Sequence, residues 1–306
     1  MTAASLFGHS QSTHCRPTHH QPTHHDDVVA VEVTIDAILV LADRLNLVDF
    51  PLSLGIRPNI PYQDQRAAVW DHVVRDLTAQ QILTATGEPH PEVAAMMHTL
   101  SRPDRTLECR WWRCEAGGKM VRFVLCRRGE RHVLAVRDEQ MLVLQRVAPQ
   151  IGLAGMLNVV IGTATPADVE PLTGIATQMA EVRTAEHLIN RGLAPSSARI
   201  YAAATSRPTG WVEITANERH SGGTHSQAGV GAGVLDSSLG RIVSIPRKVN
   251  GELYGSFLPG TQQNLERALY GLMDFLPSGS WFDTPDVSGS RYEDTSLPNE
   301  KGGGEL

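Results

Sequence analysis

Residues 105–147 read RTLECRWWRCEAGGKMVRFVLCRRGERHVLAVRDEQMLVLQRV, and this stretch decides the fold. Four short runs rich in Val, Leu, Phe, Trp and Met are split by Ala116-Gly117-Gly118, by Arg128-Gly129 and by Asp138-Glu139. Turn residues at that spacing mark hairpins. The pattern predicts four antiparallel strands: Leu107–Arg113, Met120–Arg127, His132–Arg137 and Met141–Val147. In the second, Val121, Phe123 and Leu125 share one face, while Arg122, Val124 and Cys126 share the other, less apolar one. A sheet with one apolar face needs a cover, and the helical segments on either side can supply it.

Upstream, Val28–Val33 suits a short strand. Thr34 can then cap a helix carrying Ile35, Ile38, Leu39, Ala42 and Leu45. Asp64 is placed to cap a second helix with Ala67, Trp70, Val74 and Leu77 on successive turns. Pro91 opens a third, with Val93, Met96, Met97 and Leu100 on one side. Downstream, Ala148–Gly162 is an apolar connector, part helix. Thr165-Pro166 resembles a helix start, and Thr184 caps a short helix closed by Gly192. Ala198–Ala204 is expected as a strand and Trp211–Glu218 as an alternating one. A long flexible loop should run from Gly222 to Gly233. Strands follow at Val234-Leu235 and Arg241–Ile245. Asn250-Gly251 is a strong hairpin signal leading into Leu253–Leu258. Thr261 caps a last helix with Leu265, Ala268, Leu269, Leu272 and Leu276. Strand and helices followed by a meander thus occur twice, which suggests two related halves.

The ends differ from the middle. Residues 1–27 are His-rich and polar, and residues 284–306 are polar and Gly-rich, so neither can bury enough apolar surface to fold. One domain over 28–283 is expected, with halves 28–150 and 163–283. The chain's net charge of −6 argues against a general nucleic-acid binder. No apolar run reaches the roughly 18 residues of a membrane span, and no signal-peptide core opens the chain. A cytoplasmic protein is expected.

Searches for chemistry give little. There is no G-x-S-x-G, H-E-x-x-H, Walker loop or dinucleotide fingerprint. Cys109 and Cys114 could be half a metal site, but no second pair follows them. Cys126 and His132 could meet across a hairpin as a thiol and its base. The glycines from Gly222 to Gly233 precede a strand rather than the helix a phosphate loop needs. Between Arg105 and Val147, ten basic residues face five acidic ones. With Trp111 and Trp112 nearby, that excess fits three readings: RNA stacking, a solvated sheet face covered by arginine stems, or steering of an acidic protein partner.

Several blocks resemble the EspG family, the ESX secretion-associated proteins of mycobacterial type VII secretion. They are VEVTIDAILVLADRLNLVDFPLSLGIRPNIP (Val31–Pro61), RPDRTLECRWWR (Arg102–Arg113), VRFVLCRRGERHVLAVRD (Val121–Asp138), GWVEITANERH (Gly210–His220) and GRIVSIPRKVNGELYGSFLPGTQQNLERAL (Gly240–Leu269). Within the family they look most like the paralogue of the first-numbered ESX locus. The resemblance implies an α+β fold, in which two similar halves are related by a pseudo-two-fold around a central antiparallel β-sheet flanked by helical bundles. It implies a cytosolic chaperone rather than an enzyme. Such a chaperone would bind PE–PPE heterodimers at the hydrophobic tip of PPE, keep them soluble and route them to secretion. No metal, cofactor, nucleic acid or membrane insertion is then expected. The family's use of the central sheet and C-terminal helices points to Trp211, Glu213, Thr215, Gly229, Gly231 and Gly233 as partner contacts. It also points to Gln263, Arg267 and Tyr270 on the last helix, and to one of Trp111 and Trp112. An RNA-binding module on the Arg-rich sheet is the alternative.

Overall fold

The structure is a computed structural model that describes residues 29–58, 63–182 and 184–282, with side chains left aside at 63–65 and 116. The expected His-rich head, the tail from 284 and the Asp64 cap lie outside what is described.

The chain runs β1 (Ala30–Thr34), α1 (Ile35–Arg44), α2 (Gln63–Ala79), α3 (Pro91–Ser101), β2 (Arg105–Arg113), β3 (Lys119–Arg128), β4 (Arg131–Asp138), β5 (Met141–Arg146) and α4 (Gly152–Ile161). It then runs β6 (Leu172–Ile175), α5 (Ala176–Met179), α6 (Ala185–Ile189), α7 (Pro195–Ser206), β7 (Gly210–Arg219), β8 (His225–Gln227), β9 (Ala232–Ser237), β10 (Gly240–Val249), β11 (Glu252–Pro259) and α8 (Gln262–Met273). Each series is strand, three helices, four strands and a helix, with β8 the one addition.

All the named strands join one antiparallel sheet in the order β1-β5-β4-β3-β2-β7-β9-β10-β11-β6, with β8 on the free end of β7. Outward from the middle, the two series meet as mirror sequences of strand roles. The seam is the β2–β7 pair, in register from Arg105 opposite Glu218 to Arg113 opposite Gly210. An antiparallel pair between equivalent strands places a pseudo-two-fold at that seam, and the two halves share one continuous sheet.

Local signals explain most elements. The Thr34 hydroxyl accepts the Ala37 N–H at 3.1 Å, and the Thr261 hydroxyl accepts the Asn264 N–H at 3.1 Å. Both predicted caps therefore form. Asn250 and Gly251 sit at φ +51° and +84°, as the tight β10–β11 turn requires.

Four expectations are corrected. Ala198–Ala204 lies inside α7, not a strand. Pro195 opens that helix, and Ala198, Tyr201 and Ala204 bury one helical face. Thr165-Pro166 starts no helix, because Pro166 bridges to Arg241 on β10 instead. The loop from Gly222 to Gly233 contains β8 and the start of β9. Finally, the sheet of the first half is apolar on both faces, since Val124 and Cys126 are as buried as Phe123 and Leu125.

That double burial sets the layers. On one face, α4 and α8 cover the centre of the sheet, packing Leu153, Met156, Leu157, Leu265, Leu269 and Leu272 onto residues of both halves. On the other face the cover is split. α1, α2 and α3 pack on the first half, and α6 and α7 on the second. Between the two groups the seam itself is left open.

The segment after α8 returns across the α4–α8 face. Trp281 is fully buried, and its indole N–H donates to His132 Nε2 at 3.1 Å. That bond fixes the tautomer: Nδ1 carries the proton and donates to the Glu130 carbonyl at 3.2 Å. Burial first, and then the Arg127 charge, hold the His132 pKa below its ordinary value. A folded pKa below the unfolded one favours the neutral ring. The stability it carries is therefore present above about pH 6.5 and is lost as pH falls through the folded pKa. The melting temperature should drop between pH 7.5 and pH 5, and His132→Gln should flatten part of that dependence. A drop of the same size in both proteins would remove His132 from the account.

Candidate functional site

The uncovered seam presents alternate residues of two strands. From β2 come Glu108, Arg110 and Trp112, and from β7 come Trp211, Glu213, Thr215 and Asn217. Registered pairs set Trp112 beside Trp211, Arg110 beside Glu213 and Glu108 beside Thr215. The two indoles lie 5.8 Å apart at 32°. Trp211 is 38% exposed, a large value for a tryptophan in mid-sheet. Arg110 and Glu213 approach to 3.9 Å with both side chains mostly in solvent, so their pairing contributes only ~0–1 kcal/mol. They form a polar stripe beside the aromatic end.

Next to this pair a groove of 440 Å³ runs between the sheet and α7, lined by Tyr201, Thr205, Trp211, Leu235 and Phe257 among others. Gly231 and Gly233 form its floor. A Cβ on Gly233 would come within 2.8 Å of Ser244 Oγ, and one on Gly231 within 3.2 Å of the Ile214 carbonyl. Glycine there allows a ligand close approach to backbone. The other end of the seam is anchored. Glu108 accepts from the Ser53 N–H at 3.0 Å and from Asn217 Nδ2 at 2.9 Å, which ties the loop after α1 to both halves.

The expected contacts fall into two sets. Trp211, Glu213, Thr215, Gly231 and Gly233 all line the seam groove. Gly229 sits just outside it, in the exposed turn before β9, at φ +68°. Gln263, Arg267 and Tyr270 belong to α8 and line a different groove on the opposite face of the sheet. The two sets therefore lie on opposite faces of the sheet. Of the adjacent tryptophans, Trp112 lies on the seam face beside Trp211, while Trp111 packs on the α4–α8 core beneath Arg113, 5.1 Å away. Tyr201, Thr205 and Phe257 were missed. For Tyr201 and Thr205 the signal was Pro195, a helix start that turns the following residues into a wall of the groove, whereas Phe257 comes from β11.

Other candidate chemistry is accounted for. Cys126 packs with the α1–α3 core, whereas His132 lies on the Trp281 side of the sheet, so thiol and imidazole point apart. Burial pushes the Cys109 and Cys126 thiols up, the opposite of nucleophile activation. The basic stretch is largely scaffold. Arg105 and Arg127 are buried, donating to the carbonyls of Ser280, Trp281 and Phe282. Arg137 holds the carbonyls of Leu54 and Gly55 at 2.7 and 2.6 Å. Arg146 meets Glu92, and Lys119 meets Glu139. Among the described residues, no three His, Cys, Asp or Glu side chains gather as metal ligands. No helix among them is long and apolar enough to cross a membrane.

A duplicated α+β chain, one sheet through both halves and an aromatic groove on its seam define the class of protein. The family model described as the EspG family matches residues 34–271, and the chain belongs to that family. It is 66% identical to the ESX-1 secretion-associated protein EspG1 of Mycolicibacterium smegmatis (strain ATCC 700084 / mc(2)155) over 86% of this chain and 93% of that one. Against EspG1 of Mycobacterium tuberculosis H37Rv the identity is 66%, over 84% and 91%. The ESX-3 secretion-associated protein EspG3 of M. smegmatis is more distant, at 30% identity over 89% and 95%. Among solved structures, the M. tuberculosis type VII secretion chaperone EspG5, in complex with a PE25–PPE41 dimer, superposes with a TM-score of 0.66 at 21% identity. The match covers 83% of this chain and 99% of that one.

Proposed function

We propose that this protein is a cytoplasmic, non-catalytic chaperone of a type VII (ESX) secretion system. It binds a PE–PPE heterodimer through the hydrophobic tip of PPE and keeps it soluble for export. The observation that carries the proposal is the open seam: between the helices on the first half and those on the second, Trp112 and Trp211 lie together on an uncovered stretch of sheet. The kinship with ESX-1 relatives supports the choice of system, and the PE25–PPE41 complex of EspG5 supports the class of client. A helical client with an apolar tip self-associates in water. Covering that tip needs shape and an aromatic anchor, with no bond made or broken.

Specificity comes from the polar stripe. Arg110 and Glu213 border the tryptophans, so a client tip with mismatched charges leaves one of them desolvated without a partner. Co-expression with the PE–PPE pairs encoded beside each ESX system, followed by size-exclusion chromatography, tests this. One stable complex, with a pair from an ESX-1 locus, is expected. Co-elution with none of the pairs, or with all equally, would overturn the assignment.

A further inference from the structure

The open face of the sheet does not stop at the seam. Trp211 of β7 stands opposite Trp112 of β2, and Trp112 opposite Met120 of β3. Directly opposed residues of antiparallel strands point to the same face. Met120, Trp112 and Trp211 therefore make one apolar row across three strands. Met120 is 37% exposed, as open as Trp211 at the other end, so the row reaches onto the first half.

Two residues further along the strands, a second row runs beside it. Arg110 of β2 is opposite Arg122 of β3, and Arg122 is opposite Arg137 of β4. Three arginines thus lie side by side, with Glu213 at the β7 end. Burial first, and then the Arg122 and Arg57 charges, hold the Arg137 pKa below its ordinary value, so Arg57 is a fourth cation within reach. Arg137 donates only to the carbonyls of Leu54, Gly55 and Glu139, which do not neutralise it. Arg122 is half-buried, and among the described residues it has neither a hydrogen bond nor an ion pair. With Glu108 counted beside Glu213, four cations meet two carboxylates on this face, in a chain whose net charge is −6. Around the adjoining turns, Arg113 and Lys119 stand against Glu115 and Glu139, one for one. Partly buried charges are ordinarily paired, and like charges side by side disfavour one another.

We infer that the row Arg110–Arg122–Arg137 pairs with carboxylates of the client, whose docking segment is an amphipathic helix lying across the strands, apolar along one edge and acidic along the next. The dimensions agree. Adjacent strands are ~4.8 Å apart, so the three arginines span roughly 10 Å. Carboxylates at i, i+3 or i+4 and i+7 of a helix span about 10.5 Å. The apolar and arginine rows are ~7 Å apart, within the ~10 Å width of a helix with its side chains. Such a helix would press its apolar edge on the two tryptophans and Met120 while giving Arg122 the counter-charge that this chain withholds. The inference rests on the reading that a client occupies the seam, and it names the chemistry by which that client is selected.

The test titrates the full chain with three fluorescein-labelled helical peptides, each with a leucine edge and with Glu, Gln or Lys along the next. Fluorescence anisotropy should show the Glu peptide binding at least about tenfold tighter than the Gln peptide, as two or three charge pairs allow, and the Lys peptide weakest. R110Q/R122Q should abolish the preference and R110K/R122K should keep it, which separates lost charge from lost fold. Equal affinities, no binding of the Glu peptide, or a preference unaltered in R110Q/R122Q would overturn the inference. So would a labelled oligouridylate that binds more tightly than the Glu peptide, since the row would then serve RNA. Against a PE–PPE dimer that co-elutes with the parent chain, R110Q/R122Q should bind about tenfold more weakly. Undiminished binding there overturns the inference and leaves the client reading standing. A parent chain that holds no dimer overturns both, so the parent control tells the two failures apart.

Discussion

Replacing Trp112 and Trp211 together by alanine should weaken PE–PPE binding by ~4 kcal/mol, roughly a thousandfold. The two rings touch across the seam at 5.8 Å and face solvent rather than core. An apolar helix tip pressed onto them loses water from both surfaces at once. Tryptophans in that position are the side chains most often found to dominate an interface. The single variants should each cost ~2.5 kcal/mol, and because removing one ring also disturbs the other, the double variant should cost less than their sum. Since neither ring is buried, thermal stability should change by no more than ~1 kcal/mol. Trp111→Phe is the control: that ring packs on the opposite face, so its replacement should leave affinity alone. Isothermal titration with a purified client decides the matter. A double variant that binds like the parent would move the client off the seam.

Much of this fold was legible because its signals are local. The turns at Gly117-Gly118, Arg128-Gly129 and Asp138-Glu139 set the meander, and Thr34, Thr261 and Asn250-Gly251 fixed two helix starts and a hairpin. What escaped is non-local. Val124 and Cys126 share their strand face with Arg122, so that face looked half-polar. They are buried because α1 and α3 lie on them, a fact of topology. The arginines misled for the same reason. Composition counts a charge but not its destination, and Arg105 and Arg127 spend theirs on carbonyls more than 150 residues away in sequence.

The candidate site shows the same limit. Trp211, Glu213 and Thr215 were readable as one face of an alternating strand, and they do share the groove. Gln263, Arg267 and Tyr270 were readable as the exposed side of a helix, and they are exposed. The strand pattern cannot say which side of the sheet that helix covers. Ala198–Ala204 failed differently. A short alanine-rich segment has too little periodicity to separate strand from helix, and only Pro195 broke the tie.

Trp281→Ala should lower unfolding free energy by ~3–5 kcal/mol, the cost of emptying a large buried site. The indole is fully buried against the sheet. Its loss also strips His132 Nε2 of a donor and unseats the strap that Arg105 and Arg127 hold. Trp281→Phe separates these terms. It keeps most of the packing and removes the N–H, so it should cost nearer ~1–2 kcal/mol. Arg127→Met should also destabilise, because it leaves the Trp281 and Phe282 carbonyls without their guanidinium. Combined with Trp281→Ala it should add less than its own single cost, since both changes release the same segment. The strap also meets the seam. Ser278 donates its N–H to Glu218 on β7, and Glu218 pairs at 3.4 Å with Arg105 on β2. One buried ion pair and the returning chain thus fasten the two halves where their central strands end. Urea denaturation followed by tryptophan fluorescence and by circular dichroism reads the outcome. If Trp281→Ala unfolds within ~1 kcal/mol of the parent, the returning segment is an ornament on a sheet that holds itself together.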